Sequence, residues 1–263
     1  MQAEDLAPWE REHNEAYWKE GHVGGHGLQF VDAVCRDLEF HSVLDAGCGP
    51  AQAVQRCAEL GKRVVGLDIS LEALHRGQAE ACTYGALVAG RLGALPFASR
   101  TFDLVFCTDV LEHIPRRLIP GVISELVRVA GRYLFLTICL RPSRRNNQYH
   151  ATLRSRSWWE SHFRRVGCRK LHALVQRYQK VDPGCPDSQI IAHYAQYQMS
   201  ARWVRFCQHP PFSFRGELEP WFFAFAVPLA RAQPMACPLR QCGASQSSCG
   251  HCEEQETGSA GGG

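Results

Sequence analysis

Five apolar runs of strand length recur along the first half of this chain, separated by segments with helical periodicity. Ser42–Ala46, Arg63–Leu67, Ala86–Ala89, Asp103–Cys107 and Tyr133–Leu140 are nearly continuous in apolar residues, as strands covered on both faces are. Helical patterns fill the intervals. Leu28–Leu38 leads into the core, Ala51–Leu60 stops at Gly61, Leu71–Thr83 has Ser70 placed to cap it, and Gly121–Val129 precedes the fifth run. This alternation predicts an α/β domain with a doubly wound, mostly parallel sheet. Farther on, Trp158–Val166 reads as a helix ending at Gly167, and Cys168–Val175 and Trp221–Val227 read as strands.

Four regions follow from the pattern. Residues 1–34 form an N-terminal helical arm, in which Tyr17 and Trp18 stand among charges before Gly21-His-Val-Gly-Gly-His-Gly27. The arm either packs as an amphipathic helix or acts as a lid, with the glycines as hinge and an aromatic ring over a bound cation. Residues 35–230 hold the α/β domain. An insertion at about 182–219, longer than a hairpin connection needs, is expected either to cap a substrate or to be plain structure. Residues 231–263, rich in Gly, Ser and Gln, are expected to be disordered.

The chemistry concentrates where the first strands end. Asp45-Ala-Gly47-Cys-Gly49 is a strand-terminal acid followed by a glycine turn, and Asp68, 23 residues on, closes the second strand. Glycines let a backbone approach a ligand, and the next helix presents free N–H groups. A dinucleotide would set its pyrophosphate there, but Asp45 repels a phosphate and Gln52 replaces the third glycine of that fingerprint. Asp68 stands where an acid accepts from ribose hydroxyls. The pair suits a small polar ligand carrying positive charge.

These residues, with Leu95-Pro96-Phe97, Thr101-Phe-Asp-Leu-Val-Phe and Asp109-Val-Leu-Glu112-His113-Ile-Pro115 in order, resemble the class I S-adenosylmethionine-dependent methyltransferases of the type 11-like subgroup. The resemblance covers about residues 40 to 140. It implies seven strands in the order 3-2-1-4-5-7-6, the last antiparallel. It also implies S-adenosylmethionine as cofactor, held by Asp45, Gly47, Cys48, Gly49, Asp68, Ile69, Leu92, Asp109 and Tyr17. Asp45 and Gly47 would take the methionine part, Asp68 the ribose, Ile69 the adenine face, and the backbone at Leu92 the adenine edge. Two positions depart from the pattern. Arg91 stands where an acid usually receives the adenine amine, and a guanidinium offers no acceptor. Ala51 replaces the last motif glycine, a mild change because alanine is also small.

Asp109, Glu112 and His113 form a dense group after the fourth strand. They suit turn architecture, a general base at His113, or oxygen and imidazole ligands for a divalent cation. The expectation is a catalytic His113, joined by His150, with no metal. Between Glu125 and Glu160 there is no acid but there are seven arginines. Arg144, Arg145 and Tyr149, in the loop after the fifth strand, are expected to contact an anionic acceptor.

Composition narrows the classes. A net charge of +3 argues against a nucleic-acid partner. No run of eighteen uncharged apolar residues predicts a membrane span, and the acidic N-terminus lacks a secretory h-region. Thirteen cysteines fall mostly inside strands and helices as small hydrophobes, so a reducing cytoplasm is the expected compartment. The tail holds Cys237, Cys242, Cys249 and Cys252; the Cys249-x-x-Cys252 pair is a fair zinc half-site, but the link between pairs is short for a zinc ribbon and a thiol-rich tail is expected. The expected function is methyl transfer to oxygen or nitrogen of a small anionic molecule. The alternatives are a macromolecular methyltransferase and a non-catalytic cofactor-binding partner subunit.

Overall fold

The computed structural model describes residue 10 and residues 27–81, 85–140, 149–179 and 222–228. Its elements, in order, are α1 (Leu28–Asp37), β1 (Ser42–Ala46), α2 (Gln52–Glu59), β2 (Arg63–Asp68), α3 (Leu71–Ala81), β3 (Ala86–Ala89), β4 (Phe102–Thr108), α4 (Ile119–Val129), β5 (Ala130–Thr137), α5 (Arg156–Arg165), β6 (Arg169–Lys170), α6 (His172–Gln179) and β7 (Phe222–Ala226). Short 3-10 turns at Leu111–His113 and Arg116–Leu118 link β4 to α4. Among the described residues no helix is long and apolar enough to cross a membrane.

The strands form one seven-stranded sheet in the order β3-β2-β1-β4-β5-β7-β6. All pairings are parallel except those of β7, which runs antiparallel to β5 and β6. β1 is buried at every position, as a strand with helices on both faces must be. One face packs α4 and α5 through Ile123, Leu126, Trp159 and Phe163. The other packs α1, α2 and α6 through Phe30, Val34, Val54 and Tyr178. The side chains of β7 alternate between the two, Phe223 and Phe225 on the first and Phe222 on the second.

Ser70 caps α3 as its position implies: Ala73 N donates to Ser70 Oγ at 3.2 Å. Two expectations are corrected. Cys168–Val175 is not one strand. Only Arg169–Lys170 pairs with β7, and α6 begins at His172. Leu171, Leu174, Val175 and Tyr178 stand at i, i+3, i+4 and i+7, and that stripe packs on the core, so the helical period prevails. The fifth strand starts earlier and stops at Thr137, because its last partner on β4 is Thr108.

Candidate active site

The carboxyl ends of β1, β2, β4 and β5 converge, and the turns beyond them carry the polar groups. After β1 the backbone must reverse twice, and Gly47 and Gly49 take left-handed φ values of 87° and 53°. Gly47 has a second reason to lack a side chain, since a Cβ there would collide with Val110. Gly47 N and Cys48 N both donate to Leu67 O, at 2.7 and 3.0 Å. Asp68 secures the turn from β2: its Oδ2 accepts from Gly49 N and its Oδ1 from Ser70 N, each at 2.8 Å. Cys48 is a buried thiol whose pKa is driven up, by burial first and then by the nearby carboxylates. It serves as a small apolar side chain.

Asp45 differs from Asp68. It is 3 % exposed, and burial, then the charge of Asp68, pushes its pKa up to about 7. Among the described residues no cationic side chain forms an ion pair with it. Two buried acids at adjoining strand ends, with a glycine turn between them, are suited to a cation and unsuited to a pyrophosphate. The residues therefore fit S-adenosylmethionine, whose methionine end carries an ammonium and a sulfonium.

Ala51 corrects an expectation. Its φ is 63°, so a glycine in that place is favoured for its backbone freedom, and alanine's small size does not remove the strain. At Gly27 the backbone is ordinary right-handed helix, φ −77° and ψ −18°, and what forbids a side chain is close approach to Thr108 at the end of β4. Tyr17, Arg144 and Arg145 lie outside the described residues, as do the 182–219 insertion and the Cys-rich tail.

The loop after β3 is held from below. Glu125 accepts from Leu95 N at 2.8 Å, and Arg128, paired with Glu125, donates to the carbonyls of Leu95 and Phe97. Leu92 packs partly on the core and Ile69 is half-buried beside Asp68. Arg91 forms an ion pair with the buried Glu10 of the N-terminal arm at 3.0 Å. Glu10 therefore reaches the loop expected to flank the adenine, by a contact that sequence reading did not single out.

The other side of the crevice is a network of distant segments. Asp109, strained at φ 54°, accepts from Thr137 Oγ at 2.8 Å through Oδ1, and its own N–H reaches Thr137 O at 3.0 Å. Glu112, 1 % exposed, accepts from Cys139 N at 2.9 Å. Burial, then Asp109's charge, pushes its pKa up to about 8. Thr152 donates its N–H to Glu112 O and its hydroxyl to Ile114 O, at 2.8 and 2.7 Å. His113 Nδ1 lies 3.0 Å from Tyr149 O. A carbonyl only accepts, so Nδ1 carries the proton and Nε2 is left as the basic nitrogen. The rings of His113 and His150 meet edge to face at 4.9 Å.

The structure thus joins His113 to His150, and turns the Asp109 carboxylate to Thr137. One ligand atom each from Glu112, His113 and His150 lies within 4.8 Å of the others, a spacing that could hold a divalent cation. Tyr149 contributes its carbonyl, and its side chain is buried. Thr137 and Thr152 were not singled out from sequence. A threonine at a strand's carboxyl end was the available signal for the first.

Comparison with known proteins bears on the fold. Residues 43–131 match the family described as "Methyltransferase domain". A ubiquinone biosynthesis O-methyltransferase of Paraburkholderia xenovorans is 34 % identical over 119 residues, 42 % of this chain and 50 % of that one. A malonyl-[acyl-carrier protein] O-methyltransferase of Salmonella typhimurium is 33 % identical over 104 residues, 38 % of this chain and 40 % of that one. The chain spans half or less of the length of these two relatives. Among solved structures, magnesium protoporphyrin IX methyltransferase of Synechocystis, with S-adenosylmethionine bound, shares the fold at a TM-score of 0.50 and 22 % identity, over 63 % of this chain and 89 % of that one.

Proposed function

Taking residues 43–131 as a methyltransferase domain of class I, we propose that the chain binds S-adenosylmethionine beyond β1 and β2 and transfers its methyl group to oxygen or nitrogen of a small anionic molecule. The observation that carries this reading is Asp45, a buried carboxylate with no ion-pair partner among the described residues, beside Asp68 and a turn of left-handed glycines. A cationic ligand supplies the missing charge. The names of the two relatives favour oxygen as the acceptor atom.

When bound, the cofactor supplies an already activated methyl group on a cationic sulfur. The chain's part is mainly placement, which can itself supply much of the acceleration. Asp45 meets the ammonium end, and Asp68 still has lone pairs for ribose hydroxyls while holding Gly49 and Ser70. His113, its Nδ1 fixed by Tyr149 O, offers Nε2 to take the acceptor's proton. His150 packs against that ring and orients it. Glu112, kept protonated near neutrality, adds no negative charge beside the imidazole. The non-catalytic alternative draws on Arg91, which stands in place of an adenine-reading acid.

Calorimetric titration with S-adenosylmethionine and S-adenosylhomocysteine, with NAD⁺ as control, tests the site. Binding of the first two and not the third is expected, and the reverse overturns the assignment. His113→Ala should lower turnover by about 10²-fold or more with cofactor affinity kept. Binding without turnover across anionic acceptors would favour the non-catalytic reading.

A further inference from the structure

The faces of α5 and of the turn before α4 carry a second feature with its own charge logic. Trp158, Ser161, His162 and Arg165 of α5 stand at i, i+3, i+4 and i+7, on one face of the helix. Opposite them, Arg116 and Arg117 project from the short turn before α4. Together they line a groove of about 570 Å³ with no acidic residue in its walls, a volume in the range of small-molecule sites. Glu160, the one carboxylate of α5, is occupied by Arg156 and Lys170 at 2.7 and 2.9 Å. Among the described residues Arg116, Arg117 and Arg165 form no ion pair.

Three guanidinium groups around one concavity, with no carboxylate among its walls, favour an anion there. The aromatic floor is already fixed. His162 Nδ1 and Ser161 Oγ both bond Trp158 O, at 2.9 and 2.7 Å. The His162 ring lies 4.0 Å from that of Trp158, and the Arg116 guanidinium 5.8 Å from the indole. Arginine forks match phosphate oxygens in pairs, and an indole offers an apolar surface to a flat ring.

The groove also adjoins the chemistry. Arg116 follows His113 by three residues, and α5 begins four residues after Thr152, which bonds Glu112 O and Ile114 O. Three residues of chain span roughly 10 Å at most. Two other arginines beyond β5 are engaged elsewhere: Arg156 is buried, donates to Phe222 O at 2.8 Å and stacks on Phe223, and Arg154 donates to Leu153 O.

We propose that the groove between Arg116, Arg117 and Arg165, floored by Trp158 and His162, is a binding site for an organic phosphate with a flat apolar body, and that it anchors the anionic end of the methyl acceptor. The anchoring role rests on the methyltransferase reading; the binding site does not. Titration of the full chain with phenyl phosphate, inorganic phosphate and benzyl alcohol tests it, with S-adenosylmethionine titrated in parallel. Phenyl phosphate should bind at least tenfold tighter than either partial probe. The R116E/R165E variant, altered only at exposed positions, should lose at least tenfold of that affinity with an unchanged melting temperature and unchanged cofactor binding, and Arg116→Gln should lose part of it. Equal binding of phenyl phosphate and inorganic phosphate, or variants that bind as the parent does, overturns the site. Cofactor binding without phenyl phosphate binding would sink the groove alone. Phenyl phosphate binding without cofactor binding would sink the methyltransferase reading alone.

Discussion

The two halves of the crevice are built by different means. On the β1–β2 side, the described groups lie within a few residues of a strand end, and backbone geometry fixes them: left-handed glycines, N–H groups on Leu67 O, and Asp68 clasping the turn. On the β4–β5 side, Asp109, Glu112 and His113 are held by Thr137, Cys139, Tyr149 and Thr152. One half is a local motif and the other a side-chain network across the chain. A local motif can be kept while the network is changed. This is how a fold retains one cofactor while its acceptors vary.

Gly47→Ala strikes the seam between the halves and should have the largest effect. It combines a left-handed residue with a collision against Val110 and should cost about 3 kcal/mol of folding stability, measured by chemical denaturation. A loss under about 1 kcal/mol would mean the turn can reorganise and the halves are not in register. Thr137→Val should separate them. It removes the hydroxyl shared by Asp109 and should cost about 2 kcal/mol of stability with cofactor affinity kept; an equal loss in both would erase the distinction.

A pH experiment isolates the cofactor side. Asp45 holds its proton to about pH 7 when folded, whereas an unfolded aspartate loses it near 4. Between those values the folded state binds more protons, so this group makes the ligand-free protein less stable as pH rises from about 4 to about 7. A cationic ligand needs the ionised form. S-adenosylmethionine should therefore bind about tenfold more weakly at pH 6 than at pH 8, with proton release to the buffer visible by calorimetry. Asp45→Asn should flatten that dependence. Smallest is Ala51→Gly, which relieves a left-handed alanine and should stabilise the fold by about 0.5–1 kcal/mol, with no change on the acceptor side.

The same contrast explains what was legible in the sequence. Strand order, the glycine turn and the two strand-end acids follow from spacing, because they depend on residues close along the chain. The shortened β6 was legible in principle: the 171, 174, 175, 178 stripe was present, but it lay inside an apolar run read as strand. Asp109's turn toward Thr137, the meeting of His113 with His150, and Glu10's contact with Arg91 join segments from 28 to 81 residues apart, and no local period encodes them. The basic groove was not singled out from sequence for a related reason. A count of arginines marks the loop after β5, and only the fold shows that Arg156 is buried and that Arg116, Arg117 and Arg165 line one concavity.

β7 also has a consequence for synthesis. It enters the sheet between β5 and β6, with Thr137 paired to Phe222, 85 residues farther along. During translation the first five strands can assemble as they emerge, but the free edge of β5 must wait until most of the chain has left the ribosome. Until then an apolar strand with unpaired backbone groups is exposed, and such an edge recruits other chains. The same aromatic strand that completes both faces of the core sets the interval during which the nascent protein most needs a chaperone.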